Sequence, residues 1–158
     1  MTTRYWIAGA LSALFLAAAA PTLAVEPHSH DGAAPAHKLS LDHGRKWATD
    51  APLREGMSEI RKALAQEHAA VKKGTMSDAG YAELGAAIEK SVASIVANCK
   101  LSPEADANLH VIVAQLASAA DDLQGKTSAN RADGARKAMN ALVLYGRYFS
   151  HPGWKPLA

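Results

Sequence analysis

The sequence predicts an all-α protein: an antiparallel up-down-up-down four-helix bundle preceded by a signal peptide and a flexible leader. Three observations lead there. Hydrophobic residues form 49% of the 158-residue chain while aromatics form only 6%. Much of the apolar fraction is alanine, which has high helix propensity and lets helix axes approach, whereas sheets draw on β-branched and aromatic residues. Apolar residues recur at spacings of three and four through four segments of about 18 to 22 residues. Short turns between such segments make neighbours antiparallel.

The first element is an export signal. Met1 to Trp6 carries one positive charge, Arg4, and Ile7 to Ala20 is uninterrupted apolar and small residues. Pro21 breaks that run, and Thr22-Leu23-Ala24 is small at the two positions that signal peptidase inspects. The run is short for a membrane span and no second one follows. Cleavage is therefore expected after Ala24, with a periplasmic location and no membrane attachment afterwards. Residues 25–46 are read as a flexible leader containing His28, His30, His37 and His43. Residues 47–158 are read as the bundle domain.

Helix 1 is expected to start at Thr49 or Asp50 as N-cap, with Pro52 in its first turn. Its stripe is Leu53, Met57, Ile60, Leu64, His68 and Val71, and Lys72-Lys73-Gly74 closes it. Helix 2 starts at Ser77-Asp78, runs through Tyr81, Leu84, Ile88, Val92 and Ile95, and ends near Asn98-Cys99. Helix 3 has the clearest start: Ser102 as N-cap, Pro103 first, and Glu104 and Asp106 in the acidic first turn. It continues through Leu109, Ile112, Val113, Leu116, Ala120 and Leu123 to Gly125. Helix 4 follows Ser128 or Asn130, with Ala135, Met139, Leu142, Val143 and Tyr145 leading to Phe149, and Pro152-Gly153 ends it. Asp121-Asp122 is read as a solvated acidic pair.

Helical rise places the unusual residues. At about 1.5 Å per residue, Met57 and His110 each sit roughly 10 Å from one end of an up-down bundle. Cys99, Tyr145, Tyr148, Phe149 and His151 fall at the same end, flanked by Trp47 and Trp154. Thiolate, thioether and imidazole suit copper, and thiolate with imidazole also suits zinc. The candidate metal ligands are accordingly Met57, Cys99 and His110, with His151 outside them. Each has a plainer role open to it. Met57 can fill the core, His110 can bond a backbone carbonyl or a tyrosine, His151 can cap helix 4, and Cys99 can be a small buried apolar residue.

Met57 facing His110 would also match the axial ligands of a b-type haem, although an alanine-rich core offers little volume for one. No Cys-x-x-Cys-His is present for covalent haem, nor the Glu-x-x-His pairs of di-iron bundles. The leader histidines could bind divalent ions weakly, but cleavage after Ala24 puts the first at position four, where the amino-terminal copper motif needs position three. The single cysteine has no internal disulfide partner, so a Cys99-linked homodimer is open.

Seventeen basic against fifteen acidic residues, without basic clusters, give no reason to bind nucleic acid. No serine elbow or glycine-rich phosphate loop appears, so the chain reads as a binder and not an enzyme. Three segments, LDHGRKWATDAPLREGM, IVANCKLSPEADANLH and LYGRYFSHPGW, resemble a group of small exported proteobacterial proteins of uncharacterised function. That resemblance spans most of residues 41–154 and implies no activity. In architecture alone the chain is similar to cytochrome c-prime and the soluble b-type cytochromes. The leading expectation is a periplasmic copper-binding protein that buffers or delivers the ion. The alternatives are a helical interaction or chaperone-like stress protein acting on an exported partner, and a b-type haem electron carrier.

Overall fold

A computed structural model describes residues 38–157, so the expected signal peptide and the leader histidines His28, His30 and His37 lie outside the described residues. Four helices follow one another: α1 (Ala51–Lys73), α2 (Asp78–Asn98), α3 (Pro103–Leu123) and α4 (Arg131–Tyr148). Among the described residues there is no strand, only two isolated β-bridges. No described helix is long and apolar enough to cross a membrane.

The helix ends are fixed by side chains that satisfy orphan backbone donors. Asp50 accepts from Leu53 N, Ser77 from Gly80 N, Ser102 from Ala105 N and Asn130 from Ala132 N. Pro103 opens α3, where a missing N–H costs nothing. Gly74, at φ 66°, closes α1 in a left-handed turn that a side chain would strain.

Successive helices pack on one another, and α1 meets α4 over a smaller area than α3 does. The core holds Leu53, Met57, Ile60, Leu64, Ile88, Ile95, Ile112, Leu116, Leu123, Leu142, Tyr145 and Phe149, all essentially inaccessible. Fully burying one such aliphatic side chain contributes about 1.5–3 kcal/mol. Where α3 meets α4, Gly134 lies against Ala119, Asp122 and Leu123, and Ala135 and Ala138 beside it are fully buried. A Cβ on Gly134 would lie 2.9 Å from Asp122 Cβ and 3.0 Å from the Ala119 carbonyl oxygen, so the two backbones approach as closely as glycine permits.

Three expectations need correction. Val143, expected in the apolar stripe, is 48% exposed, because Ala138, Ala141 and Leu142 turn the buried face of α4 away from it. Asp122, expected in solvent, is 3% exposed. Its carboxylate accepts from Thr127 Oγ1 at 2.7 Å and pairs with Lys137. The end of the expected flexible leader is tied down: Ser40 N donates to Oδ1 of the buried Asn108 (2.8 Å), and Trp47 Nε1 donates to Ser40 O (2.7 Å). His43 and Gly44, both at positive φ, make the tight turn in which Asp42 and Arg45 exchange backbone hydrogen bonds. This strap then pairs with the end of α4, Trp47 N donating to Tyr148 O and Ser150 N to Trp47 O, each at 2.8 Å.

Candidate functional site

Cys99 is the C-cap of α2, extended at φ −75° and ψ 144°, with its N–H donated to Ile95 O. The next residue is held from another helix. Asp50 Oδ2 accepts from Lys100 N at 2.6 Å while Oδ1 caps α1. One carboxylate thus positions both the head of α1 and the turn that carries Cys99.

Cys99 lies half-buried in a pocket of about 190 Å³ between α2 and α3, lined by Ile95, Val96, Cys99, Asp106, Leu109, His110 and Val113. The lining is apolar at Ile95, Val96, Leu109 and Val113 and polar at Cys99, Asp106 and His110. Partial burial pushes the pKa of the thiol up, and the charges of Asp50 and Asp106 push the same way. A thiol so placed is protonated at neutral pH and is a poor nucleophile. A bound cation would relieve the same negative field.

His110 is largely exposed, and its Nδ1 lies 2.9 Å from Asp106 O and 3.3 Å from Asp106 Oδ2. A carbonyl oxygen can only accept, so Nδ1 donates in this bond, and in the neutral ring the lone pair then sits on Nε2. An Nδ1–H bond to a backbone carbonyl is the device that orients metal-binding imidazoles.

The other two candidate ligands lie elsewhere. Met57 is wholly buried in the core and does not line the Cys99–His110 pocket. It and His110 do not form a facing pair either, since the His110 side chain is 70% exposed. His151 belongs to an aromatic cluster after α4, where Nδ1 bonds the Tyr145 hydroxyl at 3.0 Å. Its ring lies 5.0 Å from that of Trp154, and Tyr145 stacks on Phe149 at 5.5 Å. Burial drives the Tyr145 hydroxyl pKa well up and lowers that of His151, with Arg54 adding to the second effect. Among the described residues no three His, Cys, Asp or Glu side chains are arranged to hold one metal ion.

Sequence reasoning missed Asp50, Asp106 and Arg54 as neighbours of these groups. Asp106 stands four residues before His110, the helical spacing at which a carboxylate meets an imidazole, and could have been found. The reach of Asp50 to Lys100 has no local signal.

The sequence matches no protein-family model, and neither curated proteins nor solved structures show significant similarity to it.

Proposed function

We propose that this protein is an exported helical binder of a soft metal ion, copper in its cuprous state, held between Cys99 and His110. The reading is supported by one observation above the rest: the only cysteine of the chain and an imidazole with its Nε2 lone pair free line one small pocket from two different helices. Thiolate and imidazole are donors that favour soft ions, and a cuprous ion accepts as few as two of them. Asp106 adds negative charge at the same place, while Ile95, Leu109 and Val113 limit water. Release of the thiol proton accompanies binding, so affinity rises with pH.

Export belongs to the same reading. The residues 1–24 have the pattern of a signal cleaved after Ala24, which puts the helical domain in the periplasm and makes buffering or delivery of the ion its task. The up-down-up-down course is part of it too, supported by the bond from Lys100 to the head of α1 and by the pairing of Trp47 with the end of α4.

The test is a cuprous titration of the purified mature protein against a chromophoric competitor, without a histidine tag. One equivalent per chain, with a thiolate-to-metal band in the near ultraviolet, is expected. Cys99→Ser removes the band, His110→Ala weakens binding by about tenfold or more, and neither changes the helical signal. Stoichiometric copper retained by the Cys99→Ser, His110→Ala double variant would overturn the reading.

A further inference from the structure

Several cations on α4 and in the turn before it are paired with carboxylates. Arg131 faces Asp78, Arg136 faces Asp133, Lys137 faces Asp122, and Lys126 meets both Glu89 and Asp121. The side of α1 that meets the C-terminal tail carries cations without such partners. Arg54 bonds Thr49, and Arg61 donates through Nε to the main-chain oxygen of Lys155. Among the described residues neither arginine, nor Lys155, has a carboxylate within ion-pair distance. Asp50, at the head of the same helix, has both oxygens engaged by backbone N–H groups.

This sorting is written into the helix. Residues 54, 58 and 61 recur at the spacing of one helical face and are Arg, Ser and Arg. The acids Glu55 and Glu59 line a different groove, toward α2, together with Lys62 and Lys90. Between α1 and the tail lies a groove of about 370 Å³ lined by Ser58, Arg61, His151, Gly153, Trp154 and Lys155. Its lining offers a guanidinium, an ammonium, a hydroxyl and an imidazole, and no carboxylate. The Nε bond fixes the plane of the Arg61 guanidinium and leaves both terminal nitrogens without a protein partner among the described residues. A planar fork held in place beside a mobile ammonium is suited to a tetrahedral oxyanion.

We infer that this groove binds a free small oxyanion of the phosphate class, inorganic phosphate or a phosphomonoester, through Arg61, Lys155 and Ser58. The site is separate from the Cys99–His110 pocket and does not depend on the metal reading. The groove is wide enough for the anion and a small substituent. The ligand would also clamp the tail to α1 from outside, alongside the Arg61–Lys155 bond.

The test is a titration of the isotope-labelled protein with inorganic phosphate at constant ionic strength, followed by amide and indole shifts. Saturable shifts confined to Ser58, Arg61, Gly153, Lys155 and the Trp154 indole are expected, with half-saturation at about 1 mM or below. Lys155→Gln leaves the main-chain acceptor for Arg61 in place and should weaken binding about tenfold. Arg61→Gln should weaken it further, and Lys155→Gln keeps the test decisive if that variant loosens the tail. Shifts that grow linearly without saturation, or undiminished affinity in Lys155→Gln, would overturn the inference. A third arm uses phosphatidylglycerol vesicles: a response to vesicles with none to inorganic phosphate would also overturn it, assigning the groove to a lipid headgroup.

Discussion

The two flanks of α4 solve the same packing problem in opposite ways. Toward α3 it presents Gly134, Ala135 and Ala138, the backbones close up, and the buried Asp122 is held by Thr127 and Lys137. Toward α1 it presents Tyr145 and Gly146, and the gap is filled by parts of the chain that are not helix. Trp154 lies against Gly146, where an added Cβ would come within 2.6 Å of Nε1, and its ring meets Tyr145 edge-on at 4.8 Å. Small residues give a seam that is closed and internally neutralised. A large aromatic opens a seam that then needs a strap and a tail, and these bring grooves and unpaired cations with them. The groove beside Arg61 and Lys155 lies on this open side, whereas the Cys99–His110 pocket lies between α2 and α3.

The largest expected effect tests how far the open seam depends on its aromatic. Tyr145→Ala should destabilise the fold by about 4 kcal/mol in urea unfolding, through lost burial and the cavity it leaves. A loss under about 1 kcal/mol would show that strap and tail hold the seam without it. Next comes Gly134→Ala in the closed seam. Overpacking against Asp122 and Ala119 should outweigh the gain of about 1 kcal/mol in helix propensity and cost about 2 kcal/mol net. Increased stability would mean the seam can open without penalty. The smallest of the three is Tyr145→Phe, which removes only the bond to His151 and should cost about 1 kcal/mol.

Acid should separate the two flanks as well. His151 has a lowered pKa through burial and Arg54, so the folded state binds its proton more weakly than the unfolded chain. Its contribution is complete above the ordinary histidine value of about 6.5 and is lost as pH falls below it. Asp122 has a lowered pKa through its bonds to Lys137 and Thr127, and its contribution is complete above the ordinary aspartate value of about 3.9. That part is lost as pH falls further. Stability against pH should therefore fall in two steps, the first removed by His151→Gln and the second by Asp122→Asn. A single acid step untouched by His151→Gln would show that the open flank is not proton-linked.

The helices were legible because their signals are local. Asp50, Ser77, Ser102 and Asn130 cap them where the sequence places caps, and Gly74 ends α1 as its type demands. Cys99 and His110 share a pocket, as two residues flanking one tight turn should. The elements that escaped are those whose reason lies far along the chain. Nothing near Asn108 says that it will hold Ser40, and nothing near Trp154 says that it will cover Gly146. Asp122 looked solvated because the partners that neutralise its burial, Thr127 and Lys137, belong to the following turn and helix. Met57 and Cys99 look alike as sulfur donors in a list of residues. Only packing separates the one sealed in the core from the one at a pocket wall.

The parallel pairing of Trp47 with Phe149 gives the molecule a clasp. It joins the segment before the first helix to the segment after the last, so nearly the whole helical chain becomes one closed loop. Closing so long a loop is entropically expensive, and hydrogen-exchange labelling during refolding should find the clasp protected after the local helices. Once shut, it removes the two frayed ends at which a bundle ordinarily starts to come apart. The amides of Trp47 and Ser150 would then exchange with solvent only as slowly as the core itself opens, and a pull on both ends of the described segment would load this bridge before any helix.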